Sequence, residues 1–125
     1  MSTINVAING FGRIGRLVFR QIHNMKGIDV VAINDLTSPA VLAHLLKYDS
    51  AQGRLNEEVK ATDKSILVNG NEVMIYAQKD PAQIPWGQHK VDVVIECTGF
   101  FTDKAKAEAH LTAGAKRVEI GRAHV

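Results

Sequence analysis

Ile4-Asn5-Val6-Ala7-Ile8-Asn9 is a short apolar-rich run that closes on Gly10, the texture of a strand buried on both faces. From Gly12 to about Asn24 the period lengthens to that of a helix. Ile14, Leu17, Val18 and Ile22 share one face, Arg13, Arg16 and Arg20 fall mainly on the other, and Gly27 stands where a helix stop belongs. Ile28 to Asn34 (IDVVAIN) predicts a second buried strand. Ser38-Pro39 then sets a capping hydroxyl before a proline at the first helical position, and the helix it opens should turn Val41, Leu42, Leu45 and Leu46 inward. Beyond Tyr48 the texture is polar and short-stranded. Asn69-Gly70, between Ile66-Leu67-Val68 and Val73-Met74-Ile75-Tyr76, is a strong hairpin signal, because a two-residue turn needs residues that tolerate positive φ. Asp80-Pro81 and Ile84-Pro85-Trp86-Gly87 read as loop punctuation. Val91 to Cys97 (VDVVIEC) predicts a third strand of the parallel type, followed by a helix capped by Thr102 or Asp103 and ending at Gly114. Arg117-Val118-Glu119-Ile120 should start another strand. Strands alternating with helices at this spacing imply an α/β fold with a parallel sheet and right-handed crossovers.

Composition narrows the picture without redirecting it. The 125 residues suit one domain, and 46% hydrophobic with 22% charged residues is a globular balance. Fifteen Lys and Arg against thirteen Asp and Glu give a net charge of +2, with the basic residues scattered, so a nucleic-acid stripe is not expected. A single cysteine makes no internal disulfide and fits a reducing compartment. No apolar run approaches the ~18 residues that cross a bilayer, and the first residues lack the pattern of a secretory signal. The expectation is a soluble, cytoplasmic chain with neither membrane nor nucleic-acid partner.

The chemistry gathers at the first turn. Gly10-Phe11-Gly12-Arg13-Ile14-Gly15 is G-x-G-x-x-G placed between a predicted strand and a predicted helix. Gly10 would make the tight turn, Gly12 would let the backbone approach a pyrophosphate, and Gly15 would allow close helix–strand packing, with free amides and the positive helix end facing the diphosphate. The plainer reading is three turn-and-packing glycines. Asp35 lies twenty residues after Gly15, directly after Asn34 and the second strand, where a carboxylate accepts both adenosine ribose hydroxyls. It would also repel a 2′-phosphate, since unit charges ~4 Å apart at an effective dielectric of ~20 interact by about 4 kcal/mol. NAD is therefore expected over NADP, with helix capping as the plainer role for Asp35. Thr98-Gly99 follows the third strand at the carboxyl edge of the sheet, with room for ribose and phosphates, or else is a plain turn. Cys97 reads as a packed small hydrophobe rather than a nucleophile. His23, His44, His89, His110 and His124 show no metal-ligand spacing, so no metal is expected. The arginine face reads as solvated, apart from Arg13 near the phosphates, and Trp86 as a packing anchor.

Asn9-Gly10-Phe11-Gly12-Arg13-Ile14-Gly15-Arg16, Asn34-Asp35-Leu36, His44 to Ser50 (HLLKYDS), Asp80-Pro81 with Ile84-Pro85-Trp86, and Glu96-Cys97-Thr98-Gly99-Phe100-Phe101 together resemble the N-terminal half of the cofactor domain of the glyceraldehyde-3-phosphate dehydrogenases. The resemblance runs from Met1 to about Val118, in the same order and spacing. It implies a Rossmann-type doubly wound parallel sheet with an inserted β-hairpin, incomplete at its C-terminal end. It also implies pyrophosphate contacts from the backbone at Arg13 and Ile14, ribose contacts from Asp35, Lys79 near the adenine where the family usually has Arg, and Thr98 and Gly99 beside the cofactor. Leu36 is similar to the NAD-preferring members. The family oxidises a phosphorylated aldehyde through a cysteine nucleophile and a histidine base and is usually a homotetramer. Neither catalytic group aligns with a residue of this chain, so no catalytic residue is expected here and the chain alone should be inactive. The erythrose-4-phosphate dehydrogenases share most of these segments and are the alternative reading. A stand-alone NAD-binding module without chemistry is another, and a nucleotide- or RNA-binding fragment a third.

After Val118 the sequence departs from the family pattern. Glu119 would put a carboxylate in a central parallel strand, which is costly without a partner. Residues 119–125 also read as the in-frame translation of a common sequencing-library adapter, GAG-ATC-GGA-AGA-GCA-CAC-GTC. The expected organisation is a truncated NAD-binding domain over residues 1–118 and a non-native tail over 119–125.

Overall fold

A computed structural model describes residues 3–23, 25–49, 53–54, 58–97 and 104–120. The chain order is β1 (Ile4–Asn9), α1 (Arg13–Ile22), β2 (Ile28–Asn34), α2 (Pro39–Lys47), the two-residue strands β3 (Tyr48–Asp49) and β4 (Gly53–Arg54), then β5 (Val59–Ala61), β6 (Ser65–Val68) and β7 (Asn71–Tyr76). Two 3-10 turns (Pro81–Gln83 and Trp86–His89) lead to β8 (Val93–Glu96), α3 (Lys104–Thr112) and β9 (Arg117–Ile120). Seven strands form one sheet in the order β5-β6-β7-β2-β1-β8-β9. β1 is an interior strand parallel to both β2 and β8, with β7 parallel to β2 and β9 parallel to β8. The chain therefore winds outward from β1 in one direction and later returns to its other side, the doubly wound α/β arrangement.

The turn residues Asn69 (φ 51°) and Gly70 (φ 85°) both have positive φ, and β6 and β7 pair antiparallel across them, as the sequence predicts. The inserted hairpin is continuous with the main sheet. Its second strand pairs directly with β2, and β5 adds a third antiparallel strand outside it.

Alternation along the central strands sorts the core into two layers. Ile8 and Ile33 join Phe11, Phe19, Leu42 and Leu46 on one face, while the preceding residues Ala7 and Ala32 join Ile84, Trp86, Val91 and Val94 on the other. Each such isoleucine contributes about 2 kcal/mol of burial. The two alanines leave the second face thin enough for an indole, and Trp86 is fully buried there, the anchor its sequence context suggested.

Several expectations for side chains are corrected. The buried positions of α1 are Gly15 and Phe19, while Leu17 and Val18 are only half-buried. Helical periodicity alone ranks these side chains alike; the missing Cβ at residue 15 draws the helix onto the sheet and decides which turn faces inward. Val41 is exposed, while α2 buries Leu42 and Leu46 as expected and Ala43 besides, with Ser38 Oγ accepting the Val41 N–H at 3.4 Å as its cap. The arginine face is not simply solvated: Arg16 donates to the Phe11 carbonyl at 3.0 Å and Arg20 to the Leu46 carbonyl at 2.6 Å. Glu119 is not a buried carboxylate. Among the described residues β9 lies at the sheet edge, and Glu119 is 57% exposed and paired with Arg117. Thr102, Asp103 and residues 121–125 lie outside the described residues, and no described helix is long and apolar enough to cross a membrane.

Candidate dinucleotide site

β1, β2 and β8 end side by side, and the strand order reverses at β1, the switch point at which a doubly wound sheet takes its ligand. Backbone hydrogen bonding continues beyond the strand ends. The Gly10 N–H donates to the Asn34 carbonyl at 2.8 Å, Asp35 N–H to the Tyr76 carbonyl at 2.8 Å, and Cys97 N–H to the Asn9 carbonyl at 2.7 Å. The site segments thus start from a rigid ladder rather than from free loops.

The three glycines of the first loop differ in what holds them. Gly10 has φ +92°, open to glycine at no steric cost. At Gly15 a Cβ would lie 2.2 Å from the Gly10 carbonyl oxygen, so this position packs the helix against its own loop. Gly12 has an ordinary φ of −77°, and a Cβ there would meet nothing within 4 Å. Protein packing therefore gives no reason for a glycine at residue 12. Gly12 is also the N-cap of α1, with no side-chain cap and no acidic residue in the first turn. The amides of Arg13, Ile14 and Gly15 have no intrahelical acceptors, and the positive end of the helix dipole adds to them. An open cradle beside uncapped amides fits a diphosphate.

Asp35 sits at the end of β2 beside this loop. One carboxylate oxygen accepts the Phe11 N–H at 2.8 Å, and the other accepts the Thr37 N–H at 2.9 Å in a local turn. It does not cap α2, which Ser38 does. Each oxygen keeps a lone pair for a further donor. Asn34 is buried, and its carboxamide is committed inward: it donates to Gln78 O at 3.0 Å and accepts the Gln78 N–H at 2.9 Å. That clamp delivers the next residue, exposed Lys79, to the same sheet edge. Phe11 is buried in the core with its backbone in the loop, and Arg13 is exposed. Thr98 and Gly99 lie outside the described residues.

Cys97 is half-buried against the core, and burial, with the Glu96 charge as a lesser cause, pushes its thiol up to about 12. A thiol so raised is not a nucleophile near neutral pH. Iodoacetamide should label Cys97 in the folded chain at least about 100-fold more slowly than free cysteine. The sign of the linkage follows: folding raises the thiol from 9.0 to about 12, so stability falls as pH climbs through that window. Alkaline denaturation of a Cys97→Ala variant should lack this slope.

Two contributors escape sequence reasoning. Arg16 holds the loop through the Phe11 carbonyl, five residues back, a reach no helical spacing rule picks out. Glu96 and His110 are buried in direct contact at 2.6 Å, and their only sequence signal is a polar residue closing a strand and a histidine in a helix.

Known proteins match this chain over most of its length. The family model for the glyceraldehyde 3-phosphate dehydrogenase NAD binding domain matches residues 4–104. A glyceraldehyde-3-phosphate dehydrogenase of Clostridium pasteurianum is 60% identical over 115 residues, covering 92% of this chain and 34% of the relative. That of Mycoplasma pneumoniae is 54% identical over 118 residues, covering 94% and 35%. That of Lactobacillus delbrueckii subsp. bulgaricus is 57% identical over 123 residues, covering 94% and 36%. The chain spans about a third of the length of these curated relatives.

Proposed function

We propose, since this chain belongs to the glyceraldehyde-3-phosphate dehydrogenase family and carries its NAD-binding domain, that it is the cofactor-holding part of an enzyme oxidising glyceraldehyde 3-phosphate with phosphate to 1,3-bisphosphoglycerate. The observation that supports this most is the open cradle at Gly12 beside the uncapped first turn of α1. NAD, when bound, supplies the acceptor for the hydride leaving the aldehyde carbon. The chain's own residues bind and orient. The backbone from Gly10 to Gly15, through the Arg13 and Ile14 amides, receives the diphosphate. Asp35 receives the adenosine ribose, and its charge excludes a 2′-phosphate. The main chain at Lys79, next to the Gln78 backbone that Asn34 holds, borders the adenine, and Thr98 and Gly99 flank the cofactor. No residue of this chain acts on the aldehyde, so the isolated chain forms no NADH from aldehyde and phosphate. The whole protein works in the cytoplasm as a homotetramer, without nucleic acid or membrane as partner.

Calorimetric titration of the 125-residue chain tests the reading. Saturable but weak NAD binding is expected, with a Kd of roughly 0.1–1 mM, and NADP weaker by at least about 100-fold. A folded chain that takes up no NAD, or that prefers NADP, overturns it.

A further inference from the structure

Asn9, Asn34 and Glu96 are the last residues of β1, β2 and β8, and the register sets Asn9 opposite both of the others. All three are buried, as are His110 on α3 and Trp86. Their polar atoms form one unbroken chain. Trp86 Nε1 donates to His110 Nδ1 at 3.0 Å, and His110 Nε2 lies 2.6 Å from Glu96 Oε2. Asn9 Nδ2 donates to that same oxygen at 2.7 Å, and Asn34 Nδ2 donates to Asn9 Oδ1 at 2.8 Å. The chain ends on the Gln78 backbone, which the Asn34 carboxamide grips through both its oxygen and its nitrogen.

The direction of every bond follows from one donor. An indole N–H only donates, so His110 Nδ1 accepts and the ring proton sits on Nε2, aimed at Glu96. Glu96 Oε2 is then the acceptor on which two donor series converge, one from α3 and one from across the sheet. That fixes both carboxamides: Asn9 turns its NH2 to Glu96 and its oxygen to Asn34, and Asn34 turns its NH2 to Asn9. The members along the sheet edge each stand one or two residues before a site segment. Asn9 precedes the glycine loop, Asn34 precedes Asp35, Gln78 precedes Lys79, and Glu96 is two residues before Thr98.

We propose that Glu96, backed by His110, is the positioning residue of the dinucleotide site, setting the three strand ends in common register without touching the ligand. The ligand in this proposal rests on the NAD reading above; the register it describes does not. Glu96→Gln keeps an oxygen able to take both donors, whereas Glu96→Leu fills similar volume and takes neither. Trp86 is the only tryptophan, so its indole N–H gives a single reporter resonance by NMR in the full chain. That resonance and the amides of Gly10, Phe11 and Asp35 are recorded without ligand, and NAD is then titrated. The Leu variant should displace all four and weaken NAD by about tenfold or more, while the Gln variant stays within about threefold of the unaltered chain. A role in stability alone would lower the melting temperature of the Leu variant and leave amide positions and NAD affinity of the folded protein unchanged. That result overturns the proposal, as does a Gln variant no better than Leu. If the Leu variant does not fold, His110→Phe, which keeps a ring and removes both nitrogens, is decided by the same readings. If the unaltered chain takes no NAD, the NAD reading falls, and the ligand-free amide resonances alone decide this proposal.

Discussion

Replacing Gly12 by alanine should cost the fold about 1 kcal/mol, because alanine is a poorer N-cap than glycine, and should still weaken NAD binding by at least about tenfold. Replacing Gly15 should do the reverse damage. At residue 12 the backbone is in a region open to any residue and the added methyl meets no protein atom, so only a ligand in the cradle can feel it. At residue 15 the methyl would sit 2.2 Å from a backbone oxygen, far inside contact distance, and neither the helix nor the loop can yield cheaply. Gly15→Ala should therefore lose about 3 kcal/mol or more of stability, at the upper end of overpacking costs. Urea denaturation with NAD titration of both variants separates the two roles. If Gly12→Ala binds NAD normally, the cradle is not where the diphosphate lies.

Asp35→Asn should lower NAD affinity by about tenfold, since hydrogen bonds to a charged acceptor are about twice as strong as neutral ones. It should also narrow the preference for NAD over NADP by about 100-fold, because the repulsion of the 2′-phosphate is removed. The variant carries a structural cost as well. Both oxygens of Asp35 accept backbone N–H groups, from Phe11 and Thr37, and an amide cannot accept at both ends. One N–H would face an NH2 group, at about 1–3 kcal/mol. Titration with both nucleotides, beside a denaturation curve, checks these together. An unchanged ratio of the two affinities would place the discrimination elsewhere.

The strand–helix alternation, the hairpin at Asn69-Gly70, the cap at Ser38 and the glycine loop with its acid were legible because each is a local signal: a period, a turn pair, a spacing. What was not legible depends on contacts between distant segments. Phe19 rather than Leu17 or Val18 faces the core because of what Gly15 lacks. Arg20 reads as a solvent-facing charge until α2 brings the Leu46 carbonyl against it. Glu119 reads as a buried cost until strand order puts it at an edge beside Arg117. The Glu96–His110 pair joins residues fourteen apart in sequence, and its link to Asn9 spans 87 positions. No pattern within one element announces such a pair. Its trace is the polar residue closing each of INVAIN, IDVVAIN and VVIE, meaningful only once the three strands are known to be neighbours.

That separation of 87 residues has a meaning in time. β1 leaves the ribosome 87 residues ahead of the strand end that carries its Glu96 partner on β8. At about 5–20 residues per second β1 waits roughly 4–17 s for its second partner. β2 arrives early and covers one side; the other edge stays open, with Asn9 facing no acceptor. Newly made chains are thus most prone to pairing with one another in that interval, and the dinucleotide site is complete only once β8 has joined β1.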